Sequence, residues 1–196
     1  MMLYLVVIIL AIIIGLLRGG ELDRLSHISI KGVLLFAIAL ILRALVWIAG
    51  TYNVSFFVQF SSIFIIVSYC LLIFAALENI KLPGIKYLTL GVFLNFFVML
   101  FNGVRMPVLM RENALLNSMN AQTLRQDQGI MHVLMGEETL FAYLGDVISL
   151  PELFSESSML SVGDILILIG IFILIQHGML KSGRFSDDQN EILSEI

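Results

Sequence analysis

The sequence predicts an all-α integral membrane protein with five transmembrane helices, N-terminus outside and C-terminus inside, and an external helical cap between helices four and five. Three observations predict it. Hydrophobic residues make up 59% of the 196 and charged residues 13%, about half the charge of a soluble domain, with a mean hydropathy of +1.00. The apolar residues fall in continuous runs of near-bilayer length rather than in alternation, which excludes a β-barrel. Lysine and arginine collect in alternate loops.

The spans run from about Met2 to Leu17, Ile30 to Ala49, Phe56 to Leu77, Lys86 to Asn102 and Val162 to Leu180. Backbone groups in lipid must find partners within their own segment, so each run is read as a helix. Arg18, Arg24 and Lys31 follow the first span, Lys81 and Lys86 lie at the third loop, and Lys181 and Arg184 follow the fifth. Gly50 to Ser55 carries no charge. The basic loops are therefore expected in the cytoplasm. Arg18 follows the first apolar run instead of preceding it, which fits a reverse-oriented anchor better than a cleaved signal peptide. Gly19-Gly20 reads as a tight turn after that span.

The chain divides into a four-helix transmembrane portion (1–103), an external, partly helical cap segment (104–160), the fifth transmembrane helix (161–181) and a flexible cytoplasmic tail (182–196). In the cap segment, Glu112 to Gln128 reads as a loosely amphipathic surface helix broken at Gly129. Glu137 to Leu144 reads as a short helix ended by Gly145, and Ile148, Leu150 and Pro151 as an extended stretch. Asn102-Gly103 ends span four, and Pro107 disfavours helix at Met106.

Polar residues where lipid should lie are the candidate site. Arg43 sits inside span two, six residues before Ala49. It either faces the bundle as an anion-binding or salt-bridging group or snorkels to the outer headgroups. Asn95 and Asn102, seven apart on span four, lie on nearly one face, where amides bond across helix interfaces or line a cavity. Gln59, Ser61, Ser62 and Ser68 on span three can join such contacts. Ser161-Val-Gly-Asp164 resembles a capping box, with Asp164 at the positive end of the fifth helix. The sharper reading brings Asp164 and Asp146 together with Arg43 and Arg105 in a polar pocket. The expected ligand-binding set is Arg43, Asn95, Asn102, Arg105, Asp146 and Asp164.

No catalytic residue, metal ligand set or cofactor is expected. His27, His132 and His177 lie scattered, without His-x₃-His or Cys/His spacing, and His132 reads as a surface histidine. Cys70 is the only cysteine and reads as a small buried hydrophobe. No Walker loop, GxGxxG or GxSxG occurs, and no basic run suggests nucleic acid.

Four motifs stand in order: Arg18-Gly-Gly-x-Leu22-x-x-Leu25, Asn102-Gly-x-x-Met106-Pro107-Val108, Leu144-Gly145-Asp146 and Ser161-x-Gly163-Asp164. As an ordered set, covering nearly the whole chain, they resemble the DUF5317 family, small five-span bacterial membrane proteins of unknown function. The resemblance implies a multi-pass protein of the bacterial cytoplasmic (inner) membrane, with the external segment as its signature region. It implies no reaction. It also implies a glutamine in the second span, where this chain has Arg43, so no family-wide role attaches to a charge there.

Three function classes follow. The first binds or transports a small polar or anionic ligand at the outer-leaflet pocket, with the lipid bilayer and a homo-oligomer or membrane-protein partner as its company. The second is a non-catalytic assembly or sensor subunit whose polar motifs are folding devices. The third, least favoured, is an intramembrane enzyme on lipid-linked substrates, using Asp146 and Asp164 as a pair.

Overall fold

The computed structural model describes residues 2–52, 54–109, 130–150 and 159–180. The long helices are α1 (Met2–Leu17), α3 (Val33–Tyr52), α5 (Ser61–Glu78), α6 (Ile85–Phe101) and α7 (Val162–Leu180). Short helices α2 (Asp23–Ser26) and α4 (Ser55–Gln59) precede α3 and α5. Three of the helices, α3, α5 and α7, are long and apolar enough to cross a membrane. The apolar helices α1 and α6 are shorter, about 24–26 Å at the usual helical rise.

The helices pack in the order α3–α5–α6–α7–α1. Ser68 Oγ donates to the Ala39 carbonyl at 2.9 Å, joining α5 to α3 inside the core. At one end, the Asn79 amide donates to Lys31 O and accepts from Lys31 N, both at 2.8 Å, fixing the start of α3 to the end of α5. At that same end Gln176 donates to the Ala11 carbonyl and accepts from Arg18 Nη1 at 2.9 Å, joining α7 to α1. Hydrophobic burial does little to drive helix association in lipid, so close backbone contact and buried hydrogen bonds carry it.

The tightest contact is between α6 and α7. Gly84 faces Gly170 and Gly91 faces Gly163, each seven residues apart, so the two helices run antiparallel. A Cβ on Gly170 would lie 2.7 Å from the Gly84 carbonyl oxygen, and one on Gly163 would lie 2.6 Å from that of Gly91. Only glycine admits this approach. Outward side chains such as Leu34, Leu40, Ile41 and Trp47 stay exposed, an apolar surface that suits lipid and not water.

The run expected from Phe56 to Leu77 is divided at Phe60 (φ −99°, ψ 11°). The break immediately precedes Ser61 and Ser62, residues whose hydroxyls favour helix ends over interiors. Cys70 is exposed on the outer face of α5, which corrects the expectation of burial: the helix turns its serine-bearing face, with Ser68, to the core instead.

Beyond α6 the chain departs from the expected helices. Asn102 caps α6, Gly103 takes φ 69°, and Val104 N bonds back to Met99 O at 2.7 Å, a Schellman closure. Strand β1 (Met106–Val108) pairs in parallel with β2 (His132–Leu134), Met106 opposite His132. Strand β3 (Ile148–Ser149) pairs antiparallel with β4 (Met159–Leu160), which leads directly into α7. The helix expected from Glu137 to Leu144 is absent; a turn at Gly136–Thr139 and a 3-10 turn at Ala142–Leu144 stand in its place. The cause is local. Asn102 grips both backbone groups of Leu140, donating to its carbonyl at 2.9 Å and accepting from its N–H at 3.1 Å, and Phe141 adopts φ 54°. Both compete with helical bonding. The expected surface helix Glu112–Gln128, the break at Gly129, Pro151 and the tail lie outside the described residues.

Candidate functional site: a polar cluster at the loop end of the bundle

The hub is Asp164, in the first turn of α7. Ser161 Oγ accepts from Asp164 N at 2.9 Å, and Asp164 Oδ2 accepts from Ser161 N at 3.2 Å, the reciprocal capping box. Oδ1 then reaches across the bundle, accepting from Tyr4 Oη of α1 and Asn95 Nδ2 of α6, each at 2.9 Å. Ser161 Oγ donates to Asn95 Oδ1 at 2.8 Å. Three helices thus converge on one carboxylate, and Ser161 and Asn95 are both buried.

Arg43, on α3, turns toward protein. Its guanidinium carbon lies 4.8 Å from the centre of the Tyr69 ring, a cation–π geometry. Tyr69 in turn stacks on Phe96, with centroids 5.1 Å apart and planes within 13°. Arg43 lies within electrostatic reach of Tyr4 and Asp164, yet no carboxylate of the described residues comes within ion-pair distance of it. Of the two readings of Arg43, this placement matches the bundle-facing one.

Asp146 enters from the cap. Its backbone is stitched to β1: Asp146 N donates to Pro107 O at 2.8 Å, and Leu109 N donates to Asp146 O at 3.0 Å. Gly145 makes this possible, because a Cβ there would sit 2.6 Å from Pro107 O. The residue is 8% exposed, and Oδ1 is buried with no hydrogen-bond partner among the described residues. Burial, and then the nearby Asp164 carboxylate, push its pKa up to about 7. An unsatisfied buried acceptor costs about 1–3 kcal/mol, so this oxygen needs an explanation.

His132, on β2, is half-buried rather than the surface histidine expected. Strand pairing draws it inward, where burial and then the positive charge of Arg43 hold its pKa below the usual histidine value, opposed by Asp164.

Of the six residues singled out in the sequence, Arg43, Asn95, Asp146 and Asp164 share this cluster. Asn102 does not: its amide is consumed by Val98 O and the Leu140 backbone. Arg105 is exposed and joins none of these contacts among the described residues. Sequence reasoning passed over Tyr4 and Tyr69. Their signal was available, since a tyrosine inside an apolar span still carries a hydroxyl that needs a partner. No group of three or more His, Cys, Asp or Glu residues that could hold a metal occurs among the described residues.

No solved structure matches the chain. A protein of Thermotoga maritima named "Uncharacterized protein" is 30% identical over 167 residues, covering 85% of this chain and 86% of its own. The family of unknown function DUF5317 matches residues 27–176. That match takes in α3 through Gln176 of α7, including every member of the polar cluster except Tyr4. The chain belongs to the DUF5317 family.

Proposed function

We propose that the chain is a five-span protein of the bacterial inner membrane, N-terminus outside and C-terminus inside, that binds a small polar or anionic ligand at the cluster of Arg43, Asp146 and Asp164. The observation that carries the binding reading is the buried Asp146 Oδ1, in the field of Asp164, which also acts on Arg43; among the described residues the oxygen has no hydrogen-bond partner and Arg43 no ion-pair partner. A ligand with a hydrogen-bond donor for Asp146 and an acceptor for Arg43 would satisfy both. Asp164 itself is spoken for by Tyr4, Asn95 and Ser161, which favours a binding role over an acid–base pair.

The orientation is supported by the gathering of Arg18, Arg24, Lys31 and Lys81 at the end of the bundle opposite the strands. Impermeant maleimide applied to intact cells should label Gly136→Cys in a Cys70→Ala background. Labelling only after permeabilisation would reverse the topology. For the ligand, the full chain in detergent is melted with glycine, acetate, methylamine and inorganic phosphate. A stabilising probe should lose its effect in both Arg43→Gln and Asp146→Asn. If no probe shifts the melt, or the shift survives both changes, the binding reading falls.

A second reading, an assembly or sensor subunit, is favoured by how completely Asp164, Asn95 and Ser161 serve as cap and interhelical ties. Co-purification of a stoichiometric membrane partner that Asp146→Asn and Asp164→Asn leave unaffected would select it.

A further inference from the structure

At the opposite end of the bundle from the polar cluster lies a cavity of about 680 Å³ between α2, the α5–α6 turn and the last turns of α7. Small-molecule pockets commonly measure about 300–1,000 Å³. Its polar lining is Arg24, His27, Ser29, Lys81 and His177, and among the described residues no carboxylate lines it. The remaining wall is apolar, formed by Leu82, Pro83, Leu174 and their neighbours. A second cavity of about 520 Å³ adjoins through His177 and is bordered by Arg18.

The sign of the site follows from side chains. Leu82 and Pro83 precede the N-terminus of α6, and His177 and Gly178 belong to the C-terminal turn of α7. The half-charges of the two helix ends are of opposite sign and largely offset one another. What remains is Arg24 and Lys81, two basic side chains on separate elements, with two imidazoles and a hydroxyl in the same lining. Arg24 is held in place by Glu21, with Arg24 Nη2 at 2.8 Å and Nε at 3.2 Å from its carboxylate oxygens. Glu21 is the more exposed partner, 62% against 32%, and an exposed pair of this kind is weak. Glu21 offsets part of the Arg24 charge, and solvent screening of so exposed a pair leaves the guanidinium able to exchange it for a bound anion. Guanidinium and ammonium groups set over an apolar floor suit a phosphate joined to a hydrocarbon body.

We propose that this cavity binds the phosphate group of an anionic ligand, supplied either by a phospholipid headgroup or by free phosphate, with Arg24 and Lys81 as its charge partners. The site is independent of the cluster around Asp164 and does not rest on its reading.

The test uses the full chain in a neutral detergent with three probes: dioctanoyl phosphatidic acid, dioctanoyl phosphatidylcholine and inorganic phosphate. Phosphatidic acid should bind saturably, and the double change Arg24→Gln and Lys81→Gln should weaken it about tenfold or more. The charge-preserving pair Arg24→Lys and Lys81→Arg should retain binding, which separates lost charge from lost fold. Raising ionic strength should weaken binding of the unaltered chain, and Arg105→Gln, which removes an exposed charge outside both sites, should leave it unchanged. Competition by inorganic phosphate would show that the phosphate group suffices; saturable lipid binding without competition would make the headgroup the source. Absence of binding, equal affinity for phosphatidylcholine, or undiminished binding in the folded double-glutamine variant would overturn the proposal.

Discussion

Replacing Asp146 by asparagine should remove a pH dependence that the buried carboxyl imposes on the whole fold. The carboxyl is displaced from an ordinary value of 3.8 to about 7. At 1.36 kcal/mol per pH unit, this corresponds to about 4 kcal/mol. The sign follows from proton binding. Between about pH 4 and pH 7 the folded chain keeps a proton that the unfolded chain has already released. Stability from this group is therefore complete below pH 4, declines as pH rises, and is gone above about pH 7. Asparagine imitates the protonated form and does not titrate. The two proteins should be nearly equally stable at pH 4, and Asp146→Asn should be the more stable by up to about 4 kcal/mol at pH 8. Unfolding of the full chain in detergent, followed by circular dichroism across pH 4 to 8, reads the difference directly, because all other titrating groups are common to both. A second arm uses Asp164→Asn, which removes the neighbouring carboxylate and should lower the upper end of the window. If the two stability curves run parallel from pH 4 to 8, the carboxyl is not buried unpaired and the reasoning is wrong.

Other outcomes follow from single contacts. Gly163→Ala or Gly91→Ala drives a methyl into the facing backbone of α6 or α7 and should cost about 1–3 kcal/mol in the same unfolding assay. Gly136→Ala, which meets nothing within 4 Å, should stay within about 0.5 kcal/mol. Ser161→Ala removes the cap of α7 and a donor to Asn95, and should lower stability by about 0.5–2 kcal/mol. Asn102→Ala frees the Leu140 backbone and should make the 136–145 turn cleavable by a protease that leaves the unaltered chain intact in the same time; equal resistance would deny Asn102 its anchoring role.

Much of the fold was legible because a long, continuous apolar run leaves a backbone few choices. The first and fifth helices end where apolar runs end, and the stop at Asn102-Gly103 is local chemistry. The capping box at Ser161–Asp164 was legible for the same reason: both partners lie within one turn. The short helix after Gly136 was not, because the side chain that prevents it, Asn102, lies 38 residues away. The inward position of His132 was hidden likewise, since it depends on a parallel pairing with Met106 across an intervening segment.

The sequence by itself determined that the chain is built of apolar helices, where most begin and end, and which polar residues sit where lipid would penalise them. These are local properties, set by runs of side chains and by caps a few residues apart. Only the tertiary structure decided which of those polar residues meet. Tyr4 reaches Asp164 across 160 residues of chain, and among the described residues Arg43 finds the face of Tyr69 instead of a carboxylate and Asp146 Oδ1 has no hydrogen-bond partner. The order and rotation of packed helices decide such meetings. That order rests on the fit of Gly84 and Gly91 against Gly170 and Gly163, a long-range complementarity that no local periodicity encodes.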